Sequence, residues 1–376
     1  MTETTRPEVS VSEPMVYVAF ELSKTTWKLA LTSGFGVTPM LRTVPAADFR
    51  GVQAAITSAR TRFGLPAETP VISCYEAGRD GFWIHRALTQ LGIRNRVVDS
   101  ASIEVNRRAR RAKTDRLDAL KLVRMLARVC AGERRVWSEV RVPSPGDEAA
   151  RHVSRERTAL VQEQTRLVNQ LRGWLTTVGT TLPVRRGRLW WTAVRDWAGQ
   201  PLSTVLQDRL ARADARLRLV ADQVAALETQ QQVAVTTAAP DTAMARLVRL
   251  RGVATTGASV LLDEGLVWRV FRNRRQIGGL LGFAPVPYES GDTQRSQGIS
   301  RAGNARLQSV AIQLAWSWVR WQPGSVLTRW YRERFGDGKR ARRIGIVALA
   351  RKLLIALWRC ATTGQIPAGA VLTPRA

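Results

Sequence analysis

Glu21, Glu76, Asp115 and Asp118 are the acids of this chain best suited to chemistry, although they lie far apart in the sequence. Asp115 and Asp118 are three residues apart, so on a helix both carboxylates project from one face. Arg107, Arg108, Arg110, Arg111, Lys113 and Arg116 surround that pair. Two acids inside a field of guanidinium groups suit a site where a hard cation meets a polyanion. The same residues also suit a solvated helix N-terminus, where aspartate favours the helix dipole. Four carboxylates brought together would repel one another unless a cation stood between them. Mg2+ is the natural cation, being hard and oxygen-loving. Two such ions about 3.5–4 Å apart stabilise the entering and leaving oxygens of a phosphoryl transfer.

The elements around these acids say how they would meet. Met15–Leu22 has a strand pattern carrying Glu21 near its end, and Trp27–Leu31 reads as its hairpin partner. Val37–Val44 is a third strand, Asp48–Phe63 a helix closed by Gly64 and Pro66, and Val71–Tyr75 a buried strand delivering Glu76. A helix over Gly81–Leu91 and a strand over Asn95–Val98 follow. Thr114 then caps a helix with Leu117, Leu120, Leu122, Met125 and Leu126 at helical spacing. This order predicts a ribonuclease-H-like α/β domain over residues 15–135, after a flexible tail at 1–14. In such a sheet the first and fourth strands are neighbours and the last helix lies across their ends.

Residues 136–240 read as a helical region. Long helices over Asp147–Thr177 and Leu202–Val235 suggest an antiparallel coiled coil, used for dimerisation or spacing, or an αα-hairpin packed on its own domain. Between them, Trp190, Trp191 and Trp197 suit a buried core better than base stacking. Residues 241–376 form a mostly helical module. It opens with a helix-hairpin-helix-like stretch, Leu250–Ala258, in which Ala254 replaces a loop glycine. A loop over Ala284–Asn304 precedes helices over Ala305–Trp321, Ser325–Phe335 and Arg343–Thr362, with Lys339, Arg340, Arg342 and Arg343 as a basic collar. The fold class is thus α/β plus all-α.

Composition sets the partner. Lys+Arg 58 against Asp+Glu 30 gives a net charge of +28 over 376 residues. Self-repulsion of that size calls for a polyanion, and nucleic acid leads because binding releases counterions. Basic residues run through the whole chain rather than along one amphipathic helix, which argues against a membrane surface. Cys74, Cys130 and Cys360 form no C-x-x-C pair, and His85 and His152 are the two histidines, which excludes a zinc finger and a disulfide framework. Neither a signal peptide nor a bilayer-length apolar run stands out, so a bacterial cytoplasmic, nucleoid-associated location is expected.

Three blocks carry a resemblance. Phe20-Glu-Leu-Ser-Lys24, Tyr75-Glu-Ala-Gly78 and Lys113-Thr-Asp-Arg-Leu-Asp-Ala119 resemble the catalytic blocks of DEDD insertion-sequence transposases. That family has a RuvC-like domain and is also described as bridge-RNA-guided recombinases. Leu250–Gly257, Phe283-Ala-Pro285, Glu289-Ser-Gly291 and Ile299-Ser-Arg-Ala-Gly-Asn304 are similar to its C-terminal transposase domain. The likeness runs from about Tyr17 to Thr362, with one departure: the family's first acid is usually aspartate, and here it is Glu21.

The resemblance implies Mg2+-dependent cleavage and exchange of donor and target DNA strands. Glu21, Glu76, Asp115 and Asp118 would hold the metal, and Ser290 would be the nucleophile that becomes linked to DNA. A serine hydroxyl needs a carboxylate or metal to activate it. Arg295, Arg301 and Asn304, with the basic run and the collar, would contact nucleic acid. A structured guide RNA and a dimer or tetramer sharing sites between subunits are further implications. Two other readings stay open: a junction-resolving nuclease that uses water, and an inactive nucleic-acid-binding relative.

Overall fold

The computed structural model describes residues 13–103, 114–180, 189–283, 285–290, 293–300, 303–336 and 338–373, with backbone alone at 101, 285–290 and 293–297. The expected N-terminal tail and the basic run Arg107, Arg108, Arg110, Arg111 and Lys113 lie outside the described residues or almost entirely so. Contacts divide the chain into two compact units, Met1–Val142 and Pro143–Ala376.

The N-terminal unit is built on a five-stranded sheet ordered β3-β2-β1-β4-β5. Its strands are β1 (Val16–Leu22), β2 (Thr26–Thr32), β3 (Met40–Pro45), β4 (Val71–Glu76) and β5 (Arg94–Val98). β1 is antiparallel to β2 and parallel to β4. Alternating side chains sort to two faces. Val16, Val18 and Phe20 pack with Leu29 and Leu31 against α1 (Phe49–Arg62) and α2 (Trp83–Gln90). Ala19, Ala30, Ile72 and Cys74 face α3 (Asp115–Cys130), meeting its Ala119, Leu122, Val123 and Leu126. The two alanines present only methyl groups, which lets α3 lie close to the sheet centre.

The C-terminal unit begins with two 33-residue helices, α4 (Pro145–Thr177) and α5 (Thr204–Thr236). Ser144 starts α4 with a capping box: its hydroxyl accepts from Asp147 N, and the Asp147 carboxylate accepts from Ser144 N, both at 3.1 Å. Ion pairs Arg157–Glu228 and Glu163–Arg216 cross between the helices, and as one number rises the other falls, so the helices are antiparallel. Their seam joins Leu167, Leu171 and Leu175 to Leu210, Ala213, Leu217 and Val220, at three-four spacing along α5, with Trp191 buried among them. Trp197, by contrast, is 82% exposed.

Short helices α6 (Ala243–Val248), α7 (Thr255–Leu261) and α8 (Arg274–Leu280) follow. They pack with α9 (Ala305–Trp321), α10 (Val326–Phe335) and α11 (Lys339–Thr363) around the fully buried Trp318. The turn before α7 is folded onto α9: Ser317 Oγ donates to Gly252 O at 2.7 Å, and Gln322 Nε2 to Arg251 O at 2.8 Å. Gly252 has φ +90°, and a Cβ there would stand 3.1 Å from Trp321. Its role is close packing.

One expected loop is corrected. Within Ala284–Asn304, Pro285–Ser290 (β6) and Thr293–Ile299 (β7) pair as an antiparallel ribbon. Ser290 pairs with Thr293, and the sequence between them is Gly291-Asp292. A Gly-Asp pair between strands is a hairpin signal. The prolines mask it, because proline suits a strand only at an edge.

Among the described residues no helix is long and apolar enough to cross a membrane. Leu171 is fully buried in the α4–α5 seam. Leu171→Ala should cost about 2–5 kcal/mol, read as a lower urea midpoint; an unchanged midpoint would mean the seam contributes little.

Candidate active site

The sheet's alternation decides where the acids emerge. Glu21 lies two residues beyond Ala19, and Glu76 two beyond Cys74, so both take the face covered by α3. The parallel register pairs Phe20 with Tyr75, which sets Glu21 and Glu76 side by side at the same end of the sheet. Asp115 and Asp118 occupy the first turn of α3, the helix covering that face. Thr114 caps it, its hydroxyl accepting from Leu117 N at 3.4 Å. All four acids thus belong to one face and one end. Glu76 and Asp115 are exposed, Glu21 and Asp118 half-buried.

Lys28 joins them, a residue that the sequence reading misses. It sits directly opposite Glu21 across the β1–β2 pair, and its Nζ lies 3.6 Å from Asp115 Oδ2. Counting back from the Ser23–Thr26 turn, where Leu22 pairs with Trp27, would find it. With both partners more than a third exposed, this contact contributes about 0–1 kcal/mol to stability. Its weight is electrostatic: a fixed positive charge among four negative ones.

Carboxylate oxygens alone, on a solvent-reached face, are the donor set a hard divalent ion takes. As they stand, no three His, Cys, Asp or Glu side chains among the described residues are close enough to hold a metal ion. The four acids expected to converge thus share one face and one end of the sheet.

The C-terminal motif resolves into parts. Ser290 closes β6 and pairs with Thr293, and Arg295 pairs with Tyr288. Arg301 lies outside the described residues. At the ribbon's base, Ser300 Oγ donates to Gly282 O at 3.2 Å. Gly303 presses on the backbone, and a Cβ there would stand 2.3 Å from Gly282 N. Asn304 is committed within the fold: Oδ1 accepts from Arg306 N and Leu307 N, capping α9, while Nδ2 donates to Glu264 Oε2 at 2.8 Å. Asn304, expected to contact nucleic acid, thus also builds the fold around it, with one amide hydrogen left beyond these bonds.

Glu264 is the centre of this knot and is 2% exposed. It sits in a wide helical turn, Leu262–Leu266, in which Gly265 has φ 122°. Arg155 of α4 donates Nε and Nη2 to its two oxygens at 2.9 and 3.0 Å. Burial pushes the Glu264 carboxyl up, but the hydrogen bonds from Arg155 and Asn304 outweigh it and hold it below the ordinary value. Its neighbour Asp263 goes the other way: burial raises it to about 6, against a hydrogen bond with Ser154 and with added repulsion from Glu264. Of the remaining expected contacts, Arg116 is exposed on the first turn of α3, and Lys339, Arg340, Arg342 and Arg343 are exposed in the first turns of α11.

Comparison with known proteins fits this architecture. The family model described as Transposase IS116/IS110/IS902 family matches residues 244–330, and a DEDD transposase model of the IS110 type matches residues 47–179. A Sinorhizobium fredii chain named as a transposase, y4rJ, is 40% identical over 98% of both chains. A second from that organism, y4qE, is 28% identical over 85% of this chain and 80% of its own. The transposase for insertion sequence element IS1328 of Yersinia enterocolitica is 24% identical over 79% of this chain and 85% of its own.

The charges at these two places can be tested separately. Asp263 binds its proton more tightly folded than unfolded, so its ionisation lowers stability as pH rises from about 3.8 to about 6. Asp263→Asn should therefore gain stability over the parent progressively across that window and by a constant amount above it. Thermal unfolding at several pH values checks this, and a flat difference would refute it. Lys28→Gln should tighten Mn2+ binding several-fold by removing a competing cation, as followed by titration calorimetry; unchanged or weaker binding counts against a metal at this face.

Proposed function

This chain belongs to the IS110 family of insertion-sequence transposases, and from that premise we propose that it cuts and exchanges DNA strands using Glu21, Glu76, Asp115, Asp118 and Ser290. A transposase of this kind is an enzyme acting on DNA. The observation that carries the residue assignment is the shared face and end of the four acids, set by the register of β1 and β4 and the seat of α3. The strand order β3-β2-β1-β4-β5, with only β2 reversed against β1 and β3, supports reading the N-terminal unit as ribonuclease-H-like. The DEDD family match supports a divalent metal, and the all-carboxylate donors suit Mg2+.

In this reading Glu21, Glu76, Asp115 and Asp118 hold Mg2+, which when bound polarises the phosphate and stabilises charge on its oxygens. Ser290 Oγ attacks the scissile phosphorus. The Oγ–P bond forms as the strand's P–O bond breaks; a nearby carboxylate takes the serine proton, and a proton passes to the departing oxygen. The linked phosphodiester keeps its bond energy, so a second strand's hydroxyl can displace the serine and complete exchange. Glu21, with one methylene more than aspartate, reaches further from β1 and serves as a working variant. The antiparallel α4–α5 pair supports a coiled-coil role in assembling a dimer or tetramer, in which the serine of one subunit completes the acids of another. The net charge of +28 supports a structured guide RNA as a second polyanion alongside donor and target DNA.

Incubation with the element's end DNA and Mg2+ should yield a covalent protein–DNA adduct that Ser290→Ala abolishes. Cleavage without any adduct would replace the serine by water and make the protein a nuclease. Mixed Glu76→Ala and Ser290→Ala proteins should regain activity after subunit exchange, whereas persistent inactivity would exclude sharing between subunits. RNA co-purifying with the protein, once sequenced, should pair with both DNAs; an absence of bound RNA would remove the guide.

A further inference from the structure

A groove of about 1650 Å3 in the C-terminal unit belongs to neither site. It runs between α8, α10, α11 and the stretch Gln365–Ala368. Eight of its lining side chains are arginine or lysine, and among the described residues that line it none is aspartate or glutamate. Its apolar surface is unusual for its exposure: Val326, Ile344 and Ile366 are 46%, 56% and 49% exposed. Half-buried Trp330 lies among them, with Lys352 Nζ 4.5 Å from its ring centre. Arg351 is held along α8, where a Cβ on Gly278 would stand 2.8 Å from its Nε.

Two properties together choose the occupant. Eight cations, with no acid among the described lining residues, call for a polyanion, and the arginines among them match phosphate oxygens in pairs. A duplex would satisfy the cations and leave the aliphatic floor wet, because its bases face inward. An unpaired strand offers both surfaces, with phosphates on one side and bare bases for aromatic and aliphatic contact on the other. An acidic peptide would match the charge but offers no flat ring at every residue to cover Trp330 and the aliphatic floor together. We propose that this groove holds an unpaired segment of DNA, its bases laid over Val326, Trp330, Ile344 and Ile366 and its phosphates on the surrounding guanidinium groups. Strand exchange exposes such segments. The choice of DNA rests on the transposase reading, while the binding itself requires no cleavage.

The test uses the full chain in chelator, where no strand is cut, so its outcome is separate from that of the Ser290 experiment. Fluorescence anisotropy would follow a labelled oligo(dT), the matching duplex and an oligo(U). The parent should bind oligo(dT) more tightly than either. Ile344→Ser with Ile366→Ser, both at exposed positions, should weaken oligo(dT) binding at least fivefold, leaving duplex binding and the salt dependence as they were. Arg340→Gln with Arg343→Gln should reduce the slope of log affinity against log salt by about 1.4, at roughly 0.7 for each phosphate no longer neutralised. In the unaltered protein, a 5-iodouracil-substituted oligo(dT) should cross-link within residues 326–366. Equal weakening for duplex and single strand, a preference for oligo(U), displacement of oligo(dT) by polyglutamate, or cross-links confined to other segments would each overturn the proposal.

Discussion

Side chains along β1 alternate between two faces, and the acidic edge depends on which face Ala19 takes. Ala19 and Ala30 are small enough for α3 to settle on them through Ala119, Leu122 and Val123. Val18 and Phe20 are then committed to the opposite side, with α1 and α2. Glu21 must emerge on the α3 side, and a slip of one residue would turn it away from the helix that carries Asp115 and Asp118. The β4 register does the same for Glu76. Positioning of the acids is thus a consequence of core packing.

A different constraint governs the C-terminal unit. Glu264 is a buried charge held by donors from α4 and from the start of α9. Such a knot adds little net stability, because desolvation offsets the attraction, but removing one partner leaves a charge stranded. Its value lies in geometry: it ties the start of α9 to α4. The Ser-Arg-Ala-Gly-Asn motif accordingly mixes purposes. Gly303 and Asn304 build the support, and Ser300 anchors to Gly282.

How much of this is legible in the sequence follows the range of each signal. The strand pattern of Val16–Leu22, the Thr114 cap and the long helices are local, and they are readable within a few residues of their observed ends. The ribbon reads as a loop, since Pro285 and Pro287 argue against strands more strongly than the Gly-Asp pair argues for a hairpin. Lys28 needs the register of a turn. The Arg155–Glu264 pair joins residues 109 apart, and nothing in either neighbourhood announces the other. The last helix reads as starting at Arg343, within the basic collar, yet Lys339 begins α11.

That helix start is itself an argument about function. The N-terminus of α11 carries the positive end of the helix dipole, which favours acids, and its first turn contains none. Lys339, Arg340, Arg342 and Arg343 crowd there instead, exposed, and none of the described ion pairs includes them. Each such cation costs about 0.3–1 kcal/mol against the dipole, before their mutual repulsion is counted. A bound polyanion would offset that cost, since its phosphates would pair with these side chains as counterions leave.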